Sequence, residues 1–472
     1  MRTAILLVAA AASLVAADLD KRIASLMETA PSAMVGVHVV DAATGKQVFS
    51  RNSTQLFLPA SNMKLFTAAL TLSRLGADYR FETKLVREVS GSLVLIGGGD
   101  PSLSGRVYPY DPKIPARPPL QAIEELVDKA IAAGLTRVDG DVIGDDQRYV
   151  WSPYPESWTA DDAQHDFGAP VGALSLDDNA VSIMISPGAR GALPRVEVTP
   201  AFEYFTILNR ATTVAGSGDS IDLKAIPGSR EILVTGSIGA TAMPHRESVA
   251  VDDPALFAAH ALYDALLRRG IAVRGRPAAR HRSVTAYIAT EGETLASRQS
   301  PSLPDLLQAM VKVSQNLHAE MLLREVAFSA KGQGTIEDGL REMRAFLDEI
   351  KVPVAEWRSE DASGLARNDV VSPASITRLL TAMNTGEVRD LWRTMLPVGG
   401  QDGTLSDRLC CMAETVGIRA KTGTLNRAVA LSGYADSPAN GRLAFSILVN
   451  NFAAPTSEVR AWVDRLALAL VE

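Results

Sequence analysis

The chain has 472 residues, of which 47% are hydrophobic and 21% are charged. This composition excludes a largely disordered chain, and the length exceeds what one ordinary hydrophobic core needs, so we expect two or three folded domains. The formal net charge is −7 at pH 7. Because nucleic-acid binding needs a clustered basic face, which nothing in the sequence indicates, we expect no nucleic-acid partner.

The N-terminus has the pattern of a targeting signal. Arg2 precedes an almost wholly apolar stretch over residues 4–16, and small residues lie before Asp18. We interpret residues 1–17 as a cleaved secretory signal peptide, with a structural N-terminal helix as the alternative. No later segment is continuously apolar for about 18 residues, so we expect no transmembrane anchor and a mature protein that is periplasmic or extracellular.

The first elements after this signal are two strands and a helix. Residues 34–40 and 46–50 read as strands, and the turn cluster at 42–45 between them suits a hairpin. A helix is predicted after Pro59 and should end at Gly76. Its apolar residues recur at helical spacing: Leu65, Ala68, Ala69, Leu72 and Leu75.

The middle of the chain, residues 77–295, is β-rich and punctuated by Gly and Pro. Two helices are predicted in it, near residues 118–133 and 254–269. Its candidate strands lie at 81–87, 92–97, 195–199, 204–208, 220–225 and 231–236.

The C-terminal end supplies strands that match the first hairpin. Three strands are predicted at 417–424, 428–435 and 443–450, and a closing amphipathic helix carries Val459, Trp462, Val463, Leu466 and Leu470 on one face. Together with the N-terminal hairpin these make five strands, which suit one antiparallel sheet flanked by helices. We therefore predict an α/β (α+β) fold in which 18–76 and 296–472 form one domain. Residues 77–295 are then inserted into this domain or packed beside it.

Cysteine and histidine give no sign of a metal or disulfide framework. Cys410 and Cys411 are the only cysteines and are adjacent. We expect two reduced, partly buried thiols, with a strained bridge between the neighbours as the alternative. The sequence contains no HExxH, no paired metal-ligand spacing, no GxSxG, no GxGxxG and no P-loop, so we expect no metal and no cofactor.

A serine and a lysine three residues apart begin the first predicted helix. In Ser61-Asn62-Met63-Lys64 the two side chains are separated by one helical turn, a rise of about 4.5 Å, so the amine lies beside the hydroxyl. A serine hydroxyl is a poor nucleophile without a base, and a lysine with its ordinary pKa cannot accept a proton. We therefore expect the pKa of Lys64 to be lowered by burial and by a second cation, for which Lys421 is the candidate.

Two further polar motifs complete the candidate set. Ser314-Gln315-Asn316 lies within or between helices covering 302–330, where Ser314 suits a proton relay and Asn316 a contact to the acyl group. In Lys421-Thr422-Gly423, the glycine leaves room for an extended substrate backbone, and the N–H groups of Thr424 and Ser61 suit an oxyanion hole. Each motif alone is more often a helix start, a local cap or a strand-end turn. Their common order favours a serine acyl-transfer enzyme.

These motifs resemble those of the penicillin-binding-protein and serine β-lactamase superfamily, above all the D-alanyl-D-alanine carboxypeptidase/endopeptidase group called penicillin-binding protein 4 or peptidase family S13. The resemblance extends over Pro59–Lys64, Gly98–Leu103, Ala173–Asn179, Ser314–Glu320, Asp361–Leu365, Gly403–Leu405 and Ala420–Leu425. It implies a transpeptidase/β-lactamase-like domain interrupted by a large insert of two smaller, mainly β domains.

The resemblance also implies roles for the matching residues. Ser61 is the implied nucleophile, Lys64 its base and Ser314 the proton relay. Asn316 would bind the substrate amide. Lys421, Thr422 and Thr424 would receive the terminal carboxylate and shape the oxyanion hole, and Gly423 also belongs to this substrate-binding set. Gln315 departs from the Asp that is frequent in this group, which should affect only the electrostatics of the cleft. We expect the nearby His318 to be structural.

The implied substrates are peptidoglycan stem peptides, cut at D-Ala-D-Ala, at cross-links or at both, with β-lactams as covalent inhibitors. A serine β-lactamase is one alternative, but no Glu has an Asn four residues later to position the hydrolytic water. A non-catalytic cell-wall peptide-binding protein is the other. The insert domains leave room for cell-wall protein partners.

Overall fold

The computed structural model describes residues 19–226, 229–283, 286–410, 417–437 and 439–471. The predicted signal peptide, residues 1–17, and Cys411 lie outside these ranges. The helices are α1 (19–28), α2 (Met63–Leu75), α3 (Gln121–Ala132), α4 (Pro254–Arg268), α5 (Leu303–Val313), α6 (Asn316–Lys331), α7 (Ile336–Glu349), α8 (Pro373–Met383), α9 (Arg389–Met395) and α10 (Thr456–Leu468). Within the described ranges, every helix is too short or too polar to cross a lipid bilayer.

The strands fall into an N-terminal pair, a long middle series and a C-terminal triplet. They are β1 (Met34–Asp41), β2 (Gln47–Arg51), β3 (Glu82–Arg87), β4 (Leu93–Ile96), β5 (Arg137–Val138), β6 (Val142–Val150), β7 (Ala180–Ser186), β8 (Arg195–Thr199), β9 (Thr206–Asn209), β10 (Thr212–Val214), β11 (Asp222–Ala225), β12 (Glu231–Thr235), β13 (Ser237–Gly239), β14 (His245–Ala250), β15 (Ala272–Val273), β16 (Pro277–Arg282), β17 (Glu293–Gln299), β18 (Trp357–Arg358), β19 (Val370–Val371), β20 (Ile418–Leu425), β21 (Ala428–Ser437) and β22 (Gly441–Asn450).

The N-terminal pair and the C-terminal triplet form one antiparallel sheet, as predicted. Its strand order is β2-β1-β22-β21-β20, with Val37 opposite Ile447 and Lys421 opposite Ser432. Side chains alternate between its faces, so Val37 and Ile447 pack with α1 and α10 on one side, whereas Leu448 on the other side packs with α2 and α5 to α8. Each fully buried Val, Ile or Leu stabilises this arrangement by about 1.5–3 kcal/mol.

Helix α2 lies at the centre of the second layer. Every residue from Met63 to Leu72 is buried, so the helix is covered on all sides rather than amphipathic. Gly76 ends it, as predicted, at a φ of 81°, and its N–H donates to the carbonyl of Leu72 at 3.1 Å. The helix therefore holds its first turn in a fixed position against the sheet.

Strands between β3 and β17 form sheets of their own in the described residues. The largest has the order β16-β6-β4-β3-β17 and packs on α3 and α4, while β11-β12-β9 and β14-β7-β8 form smaller ones. Strand β17 extends four residues past the predicted domain boundary at residue 295. The division into a catalytic domain and a two-domain insert stays a prediction.

Candidate active site

Ser61 lies on a short 3-10 turn, Ala60–Asn62, that leads directly into α2. Lys64 is in the first turn of that helix. Its Nζ lies 3.0 Å from the Ser61 Oγ, the separation expected for a hydrogen bond. The predicted pairing of hydroxyl and amine is therefore present in the structure.

Lys64 is fully buried, and its amine has polar contacts besides Ser61. The Nζ donates to the Oδ1 of Asn316 at 2.6 Å and to the carbonyl of Ser363 at 2.8 Å. Burial lowers the pKa of Lys64 to about 7, although the buried carboxyl groups of Asp361 and Glu320 act in the opposite direction. Near neutral pH, a substantial fraction of this amine carries a free lone pair that can accept a proton.

Ser314 is the first residue of the two-residue junction between α5 and α6. It adopts a left-handed conformation with a φ of 64°, uncommon for a residue with a side chain. Its Oγ accepts a hydrogen bond from the Nζ of Lys421 at 2.9 Å. The chain reversal at Ser314 thus turns its hydroxyl towards β20, and Asn316 two residues later reaches Lys64.

Lys421 is the second fully buried amine of the site. It donates to the Ser314 hydroxyl and to the carbonyl of Thr422 at 2.8 Å. Burial, followed by repulsion from Lys64, lowers the pKa of Lys421 well below its usual range. We predicted that burial and Lys421 together would lower the pKa of Lys64. In the structure burial is the largest cause for both amines, and the repulsion between them disfavours charging both at once.

Gly423 has a packing role in addition to the predicted one, which stays a prediction. A Cβ at this position would lie 2.7 Å from the carbonyl oxygen of Pro59 and 3.1 Å from the Cβ of Ala60. The missing side chain therefore lets β20 approach the Ser61 turn, which the Nδ2 of Asn62 also ties to the carbonyl of Lys421 at 3.0 Å. This contact positions the two lysines relative to each other.

A groove of about 560 Å³ opens at these residues. Ser61, Ser314, Thr422, Gly423 and Thr424 all line it. At its far side, the Thr404 Oγ1 accepts a hydrogen bond from the Thr422 Oγ1 at 2.8 Å, and Arg460 donates to the Thr424 Oγ1 at 3.2 Å. Hydroxyl groups and a guanidinium therefore line the groove beside the nucleophile.

A buried acidic cluster lies behind Lys64. Asp361 accepts the backbone N–H groups of residues 363–366 at 2.7–3.0 Å. Burial alone would raise the pKa of Asp361, but hydrogen bonds, including those from Asp369 and Trp158, lower it instead. Burial and the charge of Asp361 raise the pKa of Asp369 well above its usual range. Asp361 is thus the ionised member, and it shapes the loop whose Ser363 carbonyl contacts Lys64.

The middle region of the chain also reaches the site. The carbonyl of Phe167 accepts a hydrogen bond from the Nδ2 of Asn316 at 2.8 Å, and the Nε1 of Trp158 donates to Asp361 at 3.0 Å. Both residues lie between β6 and β7, so this segment helps to hold Asn316 and Asp361 in place.

Comparisons with known proteins show which family the chain belongs to. The family model of the D-Ala-D-Ala carboxypeptidase 3 (S13) family matches residues 15–470. The chain belongs to this family. A D-alanyl-D-alanine carboxypeptidase of Actinomadura sp. (strain R39) is 33% identical to it over 459 residues, which are 93% of this chain and 81% of the relative. The carboxypeptidase DacB of Haemophilus influenzae is 24% identical, with 89% and 86% covered.

The fold of this S13 protein is shared with a solved structure. Penicillin binding protein 4 (dacB) from Haemophilus influenzae superimposes with a TM-score of 0.79 at 22% identity, covering 95% of this chain and 98% of that one. A complex of the same protein with a β-lactam superimposes with a TM-score of 0.73. These matches confirm the predicted fold class.

All the residues predicted for this S13 site lie together around Ser61. Sequence reasoning gave no role to Asn62, Glu320, Asp361 or Thr404, although each lies within or beside a quoted motif. Arg460 carried no signal, because nothing in the sequence places a C-terminal helix beside Thr424. Their roles become visible only once burial and contacts are known.

Two side chains next to the S13 motif are structural. Gln315 is the N-cap of α6, where its side chain accepts the N–H of Leu317 at 3.2 Å. His318 is fully buried, and its Nε2 lies 3.1 Å from the Oδ1 of Asp178.

Cys410, expected to be partly buried, is exposed. In the described residues no group of three or more His, Cys, Asp or Glu is arranged to hold a metal ion.

Proposed function

We propose that this protein is a serine DD-peptidase that cleaves the D-Ala-D-Ala amide of peptidoglycan stem peptides through an acyl-enzyme at Ser61. The observation that carries the proposal is the 3.0 Å contact between the Ser61 Oγ and a buried Lys64 amine whose pKa is about 7. Membership of the S13 family and the carboxypeptidase names of its relatives support it.

In the acylation step, the Ser61 Oγ attacks the carbonyl carbon and Lys64 takes the hydroxyl proton. The N–H groups of Ser61 and Thr424 hold the oxyanion. As the C–N bond breaks, Ser314 delivers a proton to the departing nitrogen of D-alanine. Ser314 takes in turn the proton that Lys64 gained, so both groups end the step as they began it and one proton has passed from the nucleophile to the leaving group.

Hydrolysis completes the cycle. A water molecule attacks the ester carbonyl and gives a proton to Lys64. Lys64 passes this proton to the Ser61 Oγ as the ester C–O bond breaks, which restores the Ser61 hydroxyl. Asn316 holds the acyl side of the substrate. Because its amide is fixed between Lys64 and the Phe167 carbonyl, it also keeps the base in place.

The carboxylate of the substrate binds at Lys421, Thr422 and Thr424. In the part of the chain that the structure describes, Lys421 forms no ion pair, only hydrogen bonds to a hydroxyl and a carbonyl. An incoming carboxylate supplies the missing counter-charge. β-Lactams also carry a carboxylate beside a strained amide, and the same contacts direct them to acylate Ser61.

Peptidoglycan lies outside the cytoplasmic membrane, so the proposal also requires export. The signal pattern over residues 1–17 provides for it. We therefore propose a periplasmic or extracellular location. Cell fractionation with an antibody to the mature protein tests this directly, and retention in the cytoplasm would contradict it.

The central test is labelling by penicillin. We expect wild-type protein to form a stable adduct on the peptide that contains Ser61, seen by mass spectrometry, and to release D-alanine from an N-acylated D-Ala-D-Ala peptide. Ser61→Ala should do neither, whereas Ser90→Ala, which changes an exposed serine, should do both. Rapid loss of the label would favour a β-lactamase, and no label a binding protein.

A further inference from the structure

Arg460 reaches the catalytic groove from the C-terminal helix. It lines the groove with Ser61, and its Nη2 donates to the Thr424 Oγ1 at 3.2 Å. Helix α10 is fixed from behind, because Val459 and Val463 are buried in the core under the sheet. The guanidinium is therefore presented to the groove by an anchored element rather than by a loop.

Arg460 differs from the other arginine of the groove in its charge balance. Arg408 also lines the groove, but both its Nε and Nη2 pair with Asp464, at 3.1 Å and 2.7 Å. Among the described residues, no carboxylate forms an ion pair with Arg460, and this includes Asp407, which lines the same groove. A guanidinium keeps its positive charge throughout the usable pH range.

Lys421 alone does not give the groove a permanent positive charge. Its amine is fully buried, and burial together with Lys64 disfavours its charged form. Thr422 and Thr424 offer neutral hydroxyls. An anion that enters the groove at Thr424 thus meets one guanidinium that is charged before the anion arrives.

We propose that Arg460 binds the terminal carboxylate of the substrate beside Thr424 and makes the enzyme selective for peptides with a free C-terminus. The inference rests on the proposed function and adds a specificity residue to it. A guanidinium presents parallel N–H donors that match the two oxygens of a carboxylate. The present hydrogen bond to Thr424 holds the side chain at the end of the groove where that carboxylate would lie.

The test compares two substrates that differ only in charge: an N-acylated D-Ala-D-Ala peptide and its C-terminal carboxamide. We measure kcat and KM for wild-type protein, Arg460→Gln, Arg460→Lys and the control Arg465→Gln. Arg465 is on the same helix but lines a different cavity. Thermal unfolding of each variant checks that the fold is retained.

We expect Arg460→Gln to reduce kcat/KM for the free acid about 10- to 100-fold, mainly through KM, and to reduce the ratio of acid to amide cleavage by a similar factor. Arg460→Lys should recover part of this ratio, and Arg465→Gln should keep it. A folded Arg460→Gln protein with the KM and ratio of the wild type would overturn the role of Arg460 alone. If wild-type protein cleaved neither substrate and formed no penicillin adduct, the proposed function would fall as well.

Discussion

Lys64 and Lys421 are two fully buried amines of one groove, but their surroundings differ in charge. Behind Lys64 lie the carboxyl groups of Asp361 and Glu320, which partly offset the effect of burial on its pKa. Around Lys421 the structure shows a hydroxyl, a carbonyl and the repelling amine of Lys64. Nearby carboxyl groups thus favour the ammonium form of Lys64, whose pKa is about 7, whereas burial and repulsion disfavour the charged form of Lys421, which an entering anion would stabilise.

The largest effect should come from removing the first amine. In Lys64→Ala, Ser61 loses its base, and we expect the second-order rate of penicillin acylation to fall about 10³- to 10⁴-fold. The fold should remain, as judged by circular dichroism. Lys331→Ala, an exposed lysine at the end of α6, is the control. Labelling of Lys64→Ala at the wild-type rate would remove Lys64 as the base.

A change in the protonation of Lys421 should be measurable as proton uptake when a ligand binds. When a D-Ala-D-Ala peptide binds to Ser61→Ala protein at pH 8, its carboxylate should raise the pKa of Lys421. The amine should then take up as much as about one proton per ligand. Isothermal titration calorimetry in two buffers of different ionisation enthalpy measures this number. Lys421→Met should abolish most of the uptake and slow acylation of the Ser61-containing protein about 10- to 100-fold. Binding without uptake would show that Lys421 is already charged.

The sequence was sufficient for the central sheet and the three motifs, for clear reasons. Most residues of β1, β21 and β22 are apolar, turn signals separate the strands, and each motif is a short run of neighbouring residues. Strand β6 was missed because its middle, Asp145 to Arg148, is polar. In the structure several of those side chains bind partners that are distant in the sequence, for example the Thr290 hydroxyl on Asp145 and the His281 ring on Asp146.

The charge environment of the two lysines was beyond the reach of the sequence. In the sequence Glu320 is an ordinary helix residue. In the structure its full burial and the charge of Asp361 raise its pKa to about 7. Arg460 and Arg465 are equivalent by pattern on α10, yet they line different cavities. The pKa of each amine, and the choice of arginine that faces the groove, depend on contacts between residues far apart in the chain.

A third, smaller effect should follow from increasing the distance between β20, which carries Lys421, and the Ser61 turn, which leads to Lys64. In Gly423→Ala, the new Cβ would meet the Pro59 carbonyl at 2.7 Å, so β20 must move away from the Ser61 turn. We expect the unfolding free energy to fall by about 1–3 kcal/mol and acylation to slow about tenfold. Gly441→Ala is a control for backbone strain, because its φ of 70° is unfavourable but nothing lies within 4 Å of its Cβ. Equal acylation rates in the two variants would contradict the positioning role of Gly423.

The smallest effect is a shift of the pH profile in Glu320→Gln. The neutral form of Lys64 is the active one, so the acylation rate should rise with pH through a pKa of about 7. The negative charge of Glu320 favours the ammonium form, and its removal lowers the pKa of Lys64. The rising limb should therefore move to lower pH by less than about one unit, because Glu320 is itself only partly ionised at this pH.

The measurement is the rate of penicillin acylation between pH 5 and 9, with the exposed Glu387→Gln as control. A limb that stayed in place would mean that Glu320 is neutral while Lys64 titrates, and that Asp361 alone provides the offsetting charge. A limb that moved to higher pH would contradict the sign of the interaction. It would then be a rearrangement of the loop that the hydrogen bond from the Ala362 N–H to Glu320 holds, rather than the loss of charge, that reaches Lys64 through the Ser363 carbonyl.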